Sequence, residues 1–273
     1  MSYAQLGMSA LDYQPCQYPG SVMTFRGPRT DMDGPFFLCL GGSETFGKFS
    51  SDPFPGRLGD RLGRRVVNMG AMNAGVDLFL HDGAVKSAIK QAEAVVLQVP
   101  GAANMSNRFF TVHPRRNDRF LTASTMLQTV FREVDFTEFH FTRHMLSALK
   151  RRSAERFSIV VEELRTAWVA RMAQVIRRIE VPVHLLWLAH RAPSDMAPRG
   201  GDLGYDPLFV TATMLDEIAP LADSLTVSIW DDDGQPPGLR GLSFGRGEEA
   251  AANVMPGPAD HEQVSRALAA LLA

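Results

Sequence analysis

Cysteine is scarce in this 273-residue chain, with only Cys16 and Cys39 present. Two cysteines cannot build a disulfide framework, and Cys39 lies inside an apolar run, where a buried free thiol is expected. Charge of one sign is also lacking. Lys and Arg number 28 against 30 Asp and Glu, a formal net charge of −2. That balance removes the whole-molecule attraction a nucleic acid or an anionic membrane surface needs. Long hydrophobic runs are missing as well, since none approaches the roughly 18 residues of a membrane span. The start, Met1-Ser2-Tyr3-Ala4-Gln5-Leu6, has no basic segment followed by an apolar core, so no signal peptide is expected. These absences lead to a cytoplasmic protein with neither nucleic acid nor membrane as partner. With 45% hydrophobic and 21% charged residues, the chain has a globular composition and enough length for a substantial core.

What is present is an alternation of two periods. Short apolar runs near 36–40, 65–68, 94–99, 183–188 and 225–230 read as strands. Amphipathic segments near 54–63, 77–91, 154–180, 207–219 and 261–272 read as helices. Strands alternating with helices predict a parallel sheet covered on both faces. The fold class expected is therefore α/β: one flavodoxin-like, three-layer α/β/α domain with a five-stranded parallel sheet over residues 1–273. Two segments stand outside the alternation. Residues 1–34, rich in Gly, Pro, Tyr and Asp, read as an irregular N-terminal arm. Residues 101–153 read as a helical, basic, lid-like insert. The long helix is the clearest element, with Ser153 as N-cap and Phe157, Val160, Leu164, Trp168, Val175 and Ile179 at helical spacing. The last helix is read as opening at Asp260, an N-cap with Gln263 three residues on.

Three loops follow the first three strands: Gly41-Gly42-Ser43, Met69-Gly70 and Pro100-Gly101-Ala102-Ala103-Asn104. Parallel neighbours would bring all three to one carboxyl edge, where open α/β proteins place their ligands. A serine hydroxyl needs a base to become a good nucleophile. His261, in the first turn of the last helix, is the candidate, because the helix dipole there disfavours the imidazolium. The backbone N–H groups of Ser43 and Gly70 and the side-chain amide of Asn104 would then hold an oxyanion.

These blocks, Gly41-Gly42-Ser43, Asn68-Met69-Gly70, Gly101-Ala102-Ala103-Asn104 and His261, resemble the GDSL, or SGNH, hydrolase superfamily in order and placement across about 36–273. The resemblance implies a serine ester hydrolase or acyl/acetyl transferase acting on a small or glycan-linked ester, with catalytic residues Ser43, Gly70, Asn104 and His261 and no cofactor. Three positions depart from the family pattern. Gly42 stands where an aspartate is usual, the third block is one residue longer, and Pro258 replaces the acid three residues before the histidine. A Ser–His dyad is what those departures leave.

Two other readings compete. The basic, aromatic insert presents Arg108, Arg115 and Arg116, whose guanidinium groups suit planar anions. They would orient an anionic part of a substrate, or serve a non-catalytic carbohydrate- or anion-binding module on the same fold. The stretch Gly42-Ser43-Glu44-Thr45-Phe46-Gly47-Lys48 also matches most of a phosphate-binding loop, as in a sulfotransferase-like, nucleotide-dependent transferase. Phe49, however, stands where a magnesium-binding Ser or Thr belongs. No metal site is expected. His140 and His144 have helical i, i+4 spacing but aromatic neighbours, and Asp231-Asp232-Asp233-Gly234 reads as a solvated turn. The substrate identity and the oligomeric state are left open by the sequence, a homo-oligomer included.

Overall fold

Apolar residues with extended preference fill five short runs, and each becomes a strand of one sheet. The computed structural model describes residues 11–196, 203–230, 238 and 240–273. In chain order it gives β1 (Phe37–Gly41), α1 (Ser43–Phe46), α2 (Phe54–Leu62), β2 (Val66–Gly70), α3 (Val76–His81), α4 (Gly83–Gln91) and β3 (Ala94–Gln98). A hairpin of β4 (Phe110–His113) and β5 (Arg116–Ala123) follows, then α5 (Thr125–Val130), α6 (Thr142–Arg152) and α7 (Ala154–Arg177). The chain closes with β6 (Val183–Ala189), α8 (Ala212–Ile218), β7 (Ser224–Ile229), α9 (Glu249–Ala252) and α10 (Pro258–Leu272).

The main sheet runs β2-β1-β3-β6-β7 with every pair parallel. β1, β3 and β6 are buried along their whole length, as strands covered on both faces must be. Helix α10 packs on α2, while α3, α6 and α8 pack on α7, so helices flank the sheet in a three-layer α/β/α arrangement. The α7 stripe from Phe157 to Val175 is buried, and the Ser153 hydroxyl caps that helix by accepting from the Arg156 N–H at 3.2 Å. No helix among the described residues is long and apolar enough to cross a membrane.

The order matters for ligand binding. From β1 the chain crosses to β2 on one side and then returns to β3 on the other, so the loops after β1 and β3 diverge. The crevice they leave at the carboxyl edge is the topological switch point.

Local expectations are corrected in four places. The helix read over 77–91 is two helices, because Asp82 leaves the helical path and caps α4 by accepting from the N–H groups of Ala84 and Val85. The insert is not purely helical: β4 and β5 pair antiparallel. The segment 207–211 lies outside α8, whose N-cap is Thr211, its hydroxyl accepting from the Met214 N–H. Helix α10 begins two residues before Asp260, at Pro258, with Gly257 as N-cap. Asp260 is its third residue, reaching back to accept from the Gly257 N–H at 2.7 Å.

The described part of the arm, 11–34, contains no helix and a single bridge between Cys16 and Phe25. It buries Tyr18, Met23 and Phe25 against the core. Its Arg26 guanidinium donates to the carbonyls of Gly47, Ser50 and Ser51, tying the arm to the loop after α1. Cys16 and Cys39 are free, and Cys39 is buried within β1.

Candidate functional site

A small cleft of about 80 Å³ opens at the switch point, lined by Ser43, Glu44, Asn73, Gln98, Asn104 and Asp206 among its polar residues. Val99, Pro100, Leu188, Pro207 and Met255 form its apolar wall. Ser43 is the first residue of α1 and is 8% exposed. Its hydroxyl oxygen accepts a hydrogen bond from the backbone N–H of Asn73 at 3.1 Å. Asn73 holds a left-handed backbone (φ 57°), a conformation that asparagine tolerates better than most residues. That turn aims its N–H back across the cleft.

Asn104 is oriented by its neighbours. Its Oδ1 accepts from the Thr142 hydroxyl at 2.9 Å, and its Nδ2 donates to the Asn73 carbonyl at 3.3 Å. Thr142 opens α6, so the insert acts on the cleft by bracing it. Asn117, on β5, accepts from the Gly75 N–H at 2.8 Å, and Asp118 accepts from the Asn73 side chain at 3.3 Å.

Gln98 organises the turn that carries Ser43 from below. It is 3% exposed, and its Oε1 accepts from the N–H groups of Gly42 (3.0 Å) and Thr45 (3.2 Å) and from the Thr45 hydroxyl. With that oxygen committed, its Nε2 faces the Glu44 carboxylate and donates to Oε2 at 2.7 Å. Burial, with the nearby Asp206 charge adding to it, raises the Glu44 carboxyl above its ordinary range despite the Gln98 hydrogen bond.

The structure brings Ser43 and Asn104 to one cleft and leaves the other expected site residues elsewhere. The N–H of Gly70 donates to the Asn68 side chain at 2.9 Å and does not line the cleft. A Cβ at Gly70 would lie 2.3 Å from the Phe46 nitrogen, so this glycine serves the packing of α1 on β2.

His261 is wholly buried and stacks on Phe54. Its Nδ1 accepts from the Phe54 N–H at 3.3 Å, and its Nε2 has no hydrogen-bond partner among the described residues. Burial, followed by the charges of Arg57 and Arg26, lowers its pKa to about 3. The ring is neutral, as expected, but it makes no hydrogen bond to Ser43. Position sets this outcome. α10 packs on α2 with His261 in that contact, against Phe54, and the cleft is lined by Met255 instead.

The three arginines do not line the cleft either. Arg108 is paired with Glu163 of α7, its Nε donating at 2.7 Å. Arg115 and Arg116 sit exposed at the β4–β5 turn.

The phosphate-loop geometry is not formed. The N–H groups of Phe46, Gly47 and Lys48 bond to carbonyls of the turn itself, and those of Gly42 and Thr45 bond to Gln98. The Gln98 oxygen thus takes the place an anion would fill, and the Lys48 ammonium lies 4.5 Å from the centre of the Phe49 ring. His140 is exposed and precedes α6, whereas His144 lies on that helix against Phe139. No cluster of three or more metal-binding side chains occurs among the described residues. The run Asp231-Asp232-Asp233-Gly234 lies outside the described residues.

Four cleft residues, Glu44, Asn73, Gln98 and Asp206, escaped the sequence reading. Only Asn73 carried a signal, an asparagine two residues before Gly75 in a loop after a strand.

A single α/β domain with a small polar cleft at the switch point of a five-stranded parallel sheet is the class of protein so defined. The chain belongs to the family described as Domain of unknown function (DUF6473), whose model matches residues 1–273. Curated proteins give no match. Among solved structures it is similar to the lipase Lip_vut3 from a goat rumen metagenome. The two share 13% identity over 87% of this chain and 97% of that one, with a TM-score of 0.43.

Proposed function

We propose that the cleft is the acyl-transfer site of an SGNH-type serine ester hydrolase or acyl/acetyl transferase for small esters. The observation that carries this reading is the Asn73 N–H directed at the Ser43 hydroxyl oxygen, with the Asn104 carboxamide held beside it. Once Ser43 is acylated, that N–H is released from the serine oxygen and stands, with the Asn104 carboxamide, where an oxyanion would need donors. Ser43 Oγ attacks the ester carbonyl carbon. The former carbonyl oxygen takes the negative charge among the N–H groups of Ser43 and Asn73 and the Asn104 Nδ2.

The Ser43 proton needs an acceptor, and the titratable groups lining the cleft are two carboxylates, Glu44 and Asp206. Glu44 is assigned as that acceptor. Its raised carboxyl pKa makes it a stronger base than an ordinary glutamate, and the proton it takes from Ser43 is then passed to the departing alcohol. The acyl group leaves Ser43 when water, or a second alcohol in a transferase, attacks the acyl-enzyme carbonyl and gives up its proton to the same carboxylate.

A second reading is a non-catalytic carbohydrate-binding module, and it is favoured by Met255 lining a cleft that contains no imidazole among the described residues. Labelling with a fluorophosphonate probe and turnover of acetyl esters separate the two. The hydrolase reading expects labelling and turnover in the wild type and in His261→Phe, with neither in Ser43→Ala. A folded wild type that shows neither, yet binds monosaccharides, supports the second reading.

A further inference from the structure

We infer that the alcohol half of the substrate is uncharged or cationic and that the cleft excludes anionic esters. The inference rests on the acyl-transfer reading of the same cleft and assigns its substrate class. It comes from the lining among the described residues. Two carboxylates, Glu44 and Asp206, and three carboxamides, Asn73, Gln98 and Asn104, supply the polar surface around Ser43, and among the described residues no Lys, Arg or His lines it.

The cations of the neighbourhood already have partners. Arg143 reaches Asp206 from outside the cleft, with 3.6 Å between Nη1 and Oδ2. Arg108 is held by Glu163, and Lys48 lies over Phe49. An anionic ester entering here meets the carboxylates directly, whereas the guanidinium groups that act on Asp206, those of Arg143 and the half-buried Arg191, stand behind the lining. The site is only partly open to water, where such repulsion is poorly screened.

Carboxylates and carboxamides are also the groups that pair with hydroxyl and ammonium donors. Asp206 stands at the mouth, its side chain 61% exposed, where the alcohol portion would pass. The acyl portion faces Val99, Leu188 and Met255 in a space of about 80 Å³. That is well below the roughly 300 Å³ at which pockets begin to enclose larger ligands, so an acetyl-sized group is what it admits.

The test compares three acetyl esters of similar size on the full chain at one ionic strength: acetylcholine, its neutral isostere 3,3-dimethylbutyl acetate, and O-acetylglycolate. Values of kcat/KM for the first two should exceed that for the anion by about tenfold or more. Asp206→Asn, which keeps the oxygen that accepts from the Leu208 N–H, should narrow the cation-to-anion ratio several-fold. An anionic ester cleaved as readily as the others overturns the assignment.

If no ester is cleaved, the acyl-transfer reading fails separately, and calorimetry with choline, 3,3-dimethylbutanol and glycolate decides the ligand class. Binding of choline or the neutral alcohol without glycolate supports it. Equal or tighter binding of glycolate, or no binding of any of the three, overturns it.

Discussion

The backbone N–H of Asn73 meets the hydroxyl oxygen of Ser43 at 3.1 Å, joining the loop after β2 to the turn after β1. This contact replaces the one anticipated from Gly70 and gives the cleft its first donor. Ser43→Ala should abolish turnover and probe labelling without moving the unfolding midpoint. Asn104→Ala should lower kcat by about 100- to 1000-fold, with KM little changed, the loss typical of one oxyanion donor. Asn73→Gly keeps both the left-handed backbone and the N–H, so steady-state kinetics should find its kcat near wild type. A full loss of activity in Asn73→Gly would contradict the assignment of that backbone group.

His261 should control acid stability and leave serine reactivity alone. Its pKa is about 3 in the folded protein and near 6.5 in an unfolded chain. The unfolded state therefore binds more protons between those values, and stability falls as pH drops from about 6.5 toward 3. The loss approaches about 1.4 kcal/mol per pH unit within that window. Urea unfolding of His261→Phe at pH 6, 5 and 4 should show a shallower decline than the wild type, while Ser43 stays reactive. Parallel pH dependences in the two proteins would reject the buried neutral assignment.

Gln98→Leu should be strongly destabilising, because the replacement has nearly the same shape but no polar atoms. It strips the acceptor from the N–H groups of Gly42 and Thr45 and from the Thr45 hydroxyl, and the donor from Glu44. Unsatisfied buried groups cost about 1–3 kcal/mol each. Partial relaxation within one network should bring the total to about 3–5 kcal/mol. The denaturant midpoint measures it, and a variant within 1 kcal/mol of wild type, to order of magnitude, would show that water enters to replace the side chain.

Gly75→Ala tests how the loop after β2 sits on the loop after β3. A Cβ there would lie 1.7 Å from the Asn104 carbonyl oxygen, which no side-chain rotation relieves. The backbone carrying Asn104 must move. The variant should lose about 1–3 kcal/mol of stability, as overpacked sites do, and also lose activity, since small displacements of positioned groups cost large rate factors. Thermal unfolding and ester turnover, measured together, should both fall.

The strands and the helices that cover them were legible in the sequence for a local reason. Runs such as Phe37-Leu38-Cys39-Leu40 and the α7 stripe from Phe157 to Val175 carry their periodicity within a few residues. The break at Asp82 and the hairpin at 110–123 were not legible. A cap and a turn each depend on a few residues whose alternatives the neighbouring chain decides. The Arg108–Glu163 pair spans 55 positions, so no local pattern could show that this arginine already had a carboxylate.

The sequence by itself determined the parallel α/β architecture and the placement of Ser43 and Asn104 at strand ends, because hydrophobic period and strand-end loops are properties of contiguous residues. Only the tertiary structure decided what lines the cleft with Ser43. Asn73 arrives through a left-handed turn, and Glu44 and Gln98 through a shared hydrogen bond. Asp206 comes from a distant loop, and His261 is buried on Phe54 because α10 packs that face against α2. Those outcomes depend on packing between segments far apart in the chain, where burial and hydrogen-bond satisfaction, rather than residue type, select the partner.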